Sequence, residues 1–219
     1  MKTWKTWITY LTKSLTKNLA KKTTKIAKTL ASLVLLTTSQ LSYAVDIQPN
    51  TLYPLVELDT SMGKIVVELD RTRSPITVDN FLTYVVKGHY DNTLFHRVIS
   101  DFVVQGGGLD LNKEERPTDK PIVNESGNGL SNLTGTIAMA REAEPHTATS
   151  QFYFNVVDNE KLDPSSRRWG YTVFGEVTSG MEVLQAISLV PTDFNSQVEW
   201  PDFPVQDIVL KKATLLPRN

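Results

Sequence analysis

Residues Thr93–Gly108, TLFHRVISDFVVQGGG, set one permanent cation, Arg97, among apolar residues and end in three glycines. The aromatic and β-branched residues between Leu94 and Val104 read as a strand. An arginine on such a strand presents a fixed charge beside an apolar surface. A second stretch of similar character follows about forty residues on, Thr134–Phe154, TGTIAMAREAEPHTATSQFYF.

Upstream, LVELDTSMGKIVVELD from Leu55 alternates Val56, Leu58, Ile65, Val67 and Leu69 with polar residues around Gly63, which is a β-hairpin pattern. Val78, Phe81, Leu82 and Val85 then recur at helical spacing, predicting a helix over Thr77–Val86 capped by Ser74 or Thr77 and stopped by Gly88. Leu109–Gly129 is polar and reads as an exposed loop. Strands are expected at Thr134–Met139, Gln151–Val157, Tyr171–Val177 and Val205–Leu215, with a short helix at Met181–Ile187. Pro191, Pro201 and Pro204 mark a loop before the last strand. Many short strands with two helices imply a mainly β fold, a barrel or a sandwich.

The chain has 219 residues and a formal charge of -1, but the charge is unevenly spread. Residues 1–44 hold eight lysines and no acidic residue, leaving fifteen basic and twenty-four acidic residues, a net charge of -9, from Val45 onward. That acidic remainder argues against nucleic acid as a partner. The lysines, the apolar run LASLVLL at 30–36 and the small residues Ser42 and Ala44 read as a signal peptide cleaved after Ala44, with 45–219 as one domain. The run is shorter than the roughly 20 residues of a membrane span, so no stable anchor is expected after cleavage. Trp4, Trp7, Ile8, Leu11 and Leu15 also fit an amphipathic surface helix or a transit peptide, although the segment lacks the arginines that transit peptides favour. The chain has no cysteine, which excludes disulfides, thiol catalysis and cysteine-based zinc sites. His89 and His146 lack companions at metal-ligand spacing, so no metal is expected.

Phe95-His96-Arg97-Val98-Ile99, Phe102, Gln105-Gly106-Gly107, Gly135–Ala140, Ser150-Gln151-Phe152-Tyr153 and Val173–Val177 occur in an order and spacing that resemble the cyclophilin family of peptidyl-prolyl isomerases, most closely its bacterial periplasmic branch. The resemblance covers roughly residues 53–215. It implies an eight-stranded antiparallel β-barrel closed by two α-helices, with the site on the barrel's outer face. It also implies Xaa-Pro isomerisation in a periplasmic protein that assists folding of exported proteins. Proline-containing unfolded or partly folded polypeptides are the implied substrates. No cofactor is expected, and a monomer is expected.

Within that resemblance Arg97 is the catalytic candidate. Phe102, Val103, Tyr153 and Leu162 line a socket for the prolyl ring, Gln105 and Gln151 supply amide groups, and Ala140 and Arg141 offer backbone groups. His96 and Tyr171 border the pocket. On pattern alone Arg97 reads equally well as a surface arginine, and Phe102 and Leu162 as core residues. His96 is not assigned acid-base chemistry, because the reaction transfers no proton and strand alternation places it opposite Arg97. Lys161 stands where many members carry an aromatic residue that helps bind cyclosporin, so weak binding of that drug is expected. Tyr153 replaces the commoner Phe, so its hydroxyl needs a partner, and Val103 replaces a longer Met. A proline-peptide binding module or chaperone-like protein with incidental turnover is the competing reading.

Overall fold

The alternation flanking Gly63 closes as expected in the computed structural model, which describes residues 47–217. Strand β1 (Leu55–Thr60) pairs antiparallel with β2 (Gly63–Leu69), with Val56 opposite Val67 and Leu58 opposite Ile65. Gly63 sits at φ 138°, in the region that favours glycine. The expected signal segment and its cleavage at Ala44 lie outside the described residues. Ile47, Gln48 and Thr51 are fastened by Arg71, whose guanidinium donates to their three carbonyls and to Asp79 Oδ1.

The remaining barrel strands are β3 (Thr93–Ile99), β4 (Val103–Asp110), β5 (Thr136–Met139), β6 (Phe152–Asn155), β7 (Val173–Ser179) and β10 (Ile208–Leu215). With β1 and β2 they form a closed antiparallel barrel in the order β1-β10-β3-β4-β6-β5-β7-β2. Closure removes free sheet edges, and alternate side chains fill the interior. Val56, Leu58, Ile65, Val67, Phe95, Val98, Val104, Ile137, Phe152 and Phe154 are among those that do so.

Helices α1 (Pro75–Val86) and α2 (Met181–Ser188) add Val78, Phe81, Leu82, Val85, Leu184 and Ile187 to the same apolar core. The helical spacing in the sequence places these side chains on one face, and that face is the buried one. Ser74 occupies the N-cap of α1 but makes no side-chain cap bond; its hydroxyl donates to the Val173 carbonyl at 2.9 Å. The helix is capped instead by Glu125, which accepts from the Ile76 and Thr77 N–H groups at 3.2 and 2.8 Å. Glu125 belongs to the segment expected to be an exposed loop. Its neighbours Asn124 and Ser126 are buried, so this part of the loop is packed and functions as a brace.

Two further expectations are corrected. The single strand expected over Leu94–Val104 is two strands separated by a turn, with Asp101 at φ 55° and the Phe102 N–H bonded to the Ile99 carbonyl. Aspartate adopts such left-handed backbone more readily than most residues, which is the local signal that apolar periodicity hides. The proline-bearing stretch before the last strand is a second hairpin, β8 (Thr192–Asn195) with β9 (Trp200–Pro204), outside the barrel sheet. Its prolines sit at the strand margins, where a missing N–H is tolerated.

The centre of the core is aromatic. Phe152 meets Phe81, Tyr90, Phe95 and Phe154 edge-on, with ring centroids 5.5, 5.4, 6.3 and 5.8 Å away. Truncation to Phe152→Ala should cost about 3–5 kcal/mol in urea denaturation. A loss under about 1 kcal/mol would show that the barrel is not held by this cluster.

Candidate active site

Phe95 and Val98 both lie in the barrel core although only two residues separate them. The pairing of β3 with β4 shows how: Phe95 faces Gly106 and Arg97 faces Gln105, so β3 carries one extra residue, His96, in this step. This is a β-bulge, and it breaks the alternation of the strand. His96 and Arg97 therefore stand together outside the apolar core. The expectation that alternation would turn His96 away from Arg97 fails for this reason.

From Arg97 the site extends sideways across the barrel wall. Gln105 is the cross-strand partner of Arg97, Tyr153 of Gln105, Ala138 of Tyr153 and Val173 of Ala138. Five strands thus contribute one residue each to a row on the outer face. Arg97 Nη1 donates to Gln105 Oε1 at 3.4 Å, and Gln105 Nε2 donates to Gln151 Oε1 at 2.9 Å. These contacts tether the guanidinium to Gln105 and, through it, to Gln151.

The glycines at the end of the opening stretch explain where Gln151 goes. A Cβ on Gly108 would lie 2.7 Å from the Gln151 side chain, and one on Gly107 (φ 84°) 2.9 Å from Phe152 and Tyr90. Only glycine leaves room for both the site amide and the core aromatics.

Beside the polar row lies an apolar socket separate from the main core. Val103, Ala138, Tyr153 and Val173 are its buried floor, and Phe102, Leu130, Ala140, Leu162 and Tyr171 its partly exposed walls. The Tyr153 hydroxyl finds the partner it needs by donating to Asn132 Oδ1 at 2.7 Å. Asn132 is itself pinned through its backbone N–H and its amide to Asp163 Oδ1, at 2.7 and 2.8 Å. Tyr171 packs edge-on against Tyr153, with ring centroids 5.9 Å apart.

The side chain of Arg141 and the N–H of Ala140 are both engaged within the protein. The Arg141 guanidinium lies 4.5 Å over the Tyr171 ring and donates to the carbonyls of Glu142, Ala143, Trp169 and Gly170. It locks two loops against the socket wall. The Ala140 N–H is occupied by the Gln151 carbonyl at 3.0 Å, so it is not available to a ligand. The sequence motifs do not point to Ala138, Val173 or Leu130 as socket residues. The alternation of Ala138 with the inward-facing Ile137 and Met139 was the signal for the first of them.

His96 is 1% exposed, and its ring lies 5.3 Å from that of Trp200. Burial pushes its pKa from 6.5 down to about 4, against weaker opposing effects of the Leu94 backbone and the Gln151 amide. Its Nδ1 makes no well-formed hydrogen bond. An imidazole held neutral in this way is a poor proton carrier near pH 7. Among the described residues no cluster of three or more His, Asp or Glu side chains is arranged to hold a metal ion.

Residues 55–215, from β1 through β10, match the model of the family described as cyclophilin type peptidyl-prolyl cis-trans isomerase/CLD. The chain belongs to the cyclophilin family. It is 51% identical over 164 residues to the peptidyl-prolyl cis-trans isomerase cyp18 of Streptomyces antibioticus, covering 74% of this chain and 98% of that one. It is 43% identical over 164 residues to peptidyl-prolyl cis-trans isomerase B of Escherichia coli, with 74% and 99% covered. Among solved structures, the Cryptosporidium parvum cyclophilin type isomerase superposes with a TM-score of 0.63 at 24% identity, over 76% of this chain and 99% of that one, a likeness of fold.

Cyclophilins bind proline-containing peptides and rotate the Xaa-Pro bond, which requires no proton transfer. Stability and activity should therefore respond differently to acid. Because folding holds His96 neutral, the unfolded chain binds its proton more readily between pH 6.5 and about 4. The contribution is fully present above pH 6.5 and is lost as pH falls through that window, by up to about 3 kcal/mol. His89, lowered mainly by burial, acts in the same direction. Urea midpoints should fall from pH 7 to pH 4.5, less steeply in His96→Gln, while kcat/KM stays flat between pH 6 and 8. A kcat/KM that tracked a group near pH 6.5 would contradict a neutral His96.

Proposed function

We propose that this cyclophilin accelerates cis-trans rotation about Xaa-Pro bonds in exported, incompletely folded polypeptides, and that Arg97 carries the catalysis. The observation that supports this reading is the juxtaposition of Arg97, tethered through Gln105 and Gln151, with the apolar socket of Phe102, Val103, Tyr153, Leu162 and Tyr171.

The chemistry follows from the amide. Conjugation puts a barrier of about 18–20 kcal/mol on rotation, and the unaided reaction takes tens to hundreds of seconds. A turnover of about 100 per second requires lowering that barrier by roughly 5–6 kcal/mol. No bond to a heavy atom is made or broken, so what is needed is tighter binding of the twisted amide than of the planar one. Twisting makes the prolyl nitrogen pyramidal and restores its lone pair. A guanidinium N–H directed at that lone pair interacts with it only in the twisted state, while another N–H holds the neighbouring carbonyl. The socket fixes the prolyl ring, so that rotation is confined to the other side of the bond. His96 lies neutral and buried beside Arg97, and the Ala140 carbonyl and the Arg141 backbone border the peptide.

The chain is proposed to act in the periplasm as a monomer, without cofactor, after cleavage at Ala44. The basic, acid-free residues 1–44 and the bacterial relatives support that location. Lys161, in the 3-10 turn Glu160–Leu162 at the socket wall, supports weak binding of cyclosporin.

With the mature protein and an Xaa-Pro peptide, Arg97→Ala should lower kcat/KM by about 10²–10³-fold and leave peptide affinity within about fivefold. Equal kcat/KM for the two proteins would remove Arg97 from the mechanism. Mass measurement of the exported protein should find Val45 as its first residue. A product retaining residues 1–36 would replace the soluble form with a tethered one.

A further inference from the structure

The β8–β9 hairpin adds something to the site that neither the barrel nor the socket supplies. It is clamped onto the outside of β3. Phe203 is buried against Leu94 and Leu109, Trp200 packs on His96, and Gln197 Nε2 donates to the Asn112 carbonyl at 2.7 Å. Between the two aromatic anchors stands Asp202, its Oδ2 4.0 Å from Arg97 Nε. The guanidinium thus has Gln105 near its Nη1 and a carboxylate near its Nε.

The backbone at Asp202 is left-handed, φ 59°. For a residue with a side chain this conformation is unfavourable, and aspartate and asparagine tolerate it best. The two partners are 38% and 40% exposed. An ion pair in that much water adds little to stability. Its effect on rotamer freedom is larger, because a long arginine side chain otherwise samples several orientations.

We propose that Asp202 is a positioning residue for Arg97: the hairpin holds its carboxylate beside Nε so that the guanidinium is already aimed across the socket when the peptide arrives. This rests on the reading that Arg97 acts on the twisted amide. Preorganisation of this kind raises the rate of the rotation step and leaves peptide binding nearly unchanged.

The test uses the whole mature protein and Asp202→Asn, which keeps the shape and the backbone preference and removes the charge, with Glu199→Gln in the same hairpin as a control. Asp202→Asn should lower kcat roughly fivefold with KM within about twofold. NMR relaxation of the Arg97 Nε–H should show a lower order parameter in Asp202→Asn, with backbone amides outside the hairpin unshifted. Wild-type kcat should fall between 10 mM and 500 mM salt, where screening weakens the pair, more than that of Asp202→Asn. Unchanged kcat and unchanged Arg97 order in Asp202→Asn would overturn the proposal, as would an equal loss in Glu199→Gln. If Arg97→Ala were itself fully active, the underlying role of Arg97 would fail instead, and the two failures are distinguished by that arm.

Discussion

The step in register between β3 and β4 requires Phe95 and Val98 to enter the barrel together, and it leaves His96 and Arg97 adjacent on the outside. In a regular strand one of this pair would point inward. A guanidinium in the barrel interior would be a charge without water, and a filled interior has no space for substrate. The bulge keeps the interior apolar and puts the permanent cation on the outer wall, where its side chain is partly exposed. Bulges often re-aim side chains in this way.

Around that cation the packing is cooperative in a specific sense. Glycines at 106 to 108 let the Phe95, Phe152 and Tyr90 rings and the Gln151 side chain approach the β4 backbone. The aromatic rings hold the barrel, and Gln151 holds Gln105, which in turn holds Arg97. The socket has a comparable support behind it, since Tyr153 rests on Asn132, and Asn132 on Asp163. Both walls of the site are therefore positioned by hydrogen bonds whose remote partners lie on other elements. Support of this kind holds side chains in fixed geometry without relying on any single loop.

Electrostatics separates the two residues that sequence sets side by side. Arg97 is a permanent cation whose side chain is partly exposed, while His96 is buried beneath Trp200 and stays neutral. Two adjacent cations would repel each other, and a charged imidazole here would be poorly solvated. The same burial that removes His96 from acid-base chemistry helps to anchor the hairpin bearing Asp202.

Local pattern alone determined a good deal of this protein. The β1–β2 hairpin, the apolar face of α1, the mainly β class and, through five ordered motifs, the family were all legible, because periodicity and motif spacing are properties of neighbouring residues. The tertiary structure decided what depends on partners far away in the chain. It placed His96 beside Arg97 through a slip against β4. It gave the cap of α1 to Glu125, some fifty residues on, and closed the Ala140 N–H with the Gln151 carbonyl. It also made a hairpin of a stretch that prolines mark as loop and brought Asp202 beside Arg97, 105 residues away in sequence. Apolar alternation reports which face of a strand is buried, but register, caps and contacts between distant segments are set only when the barrel closes.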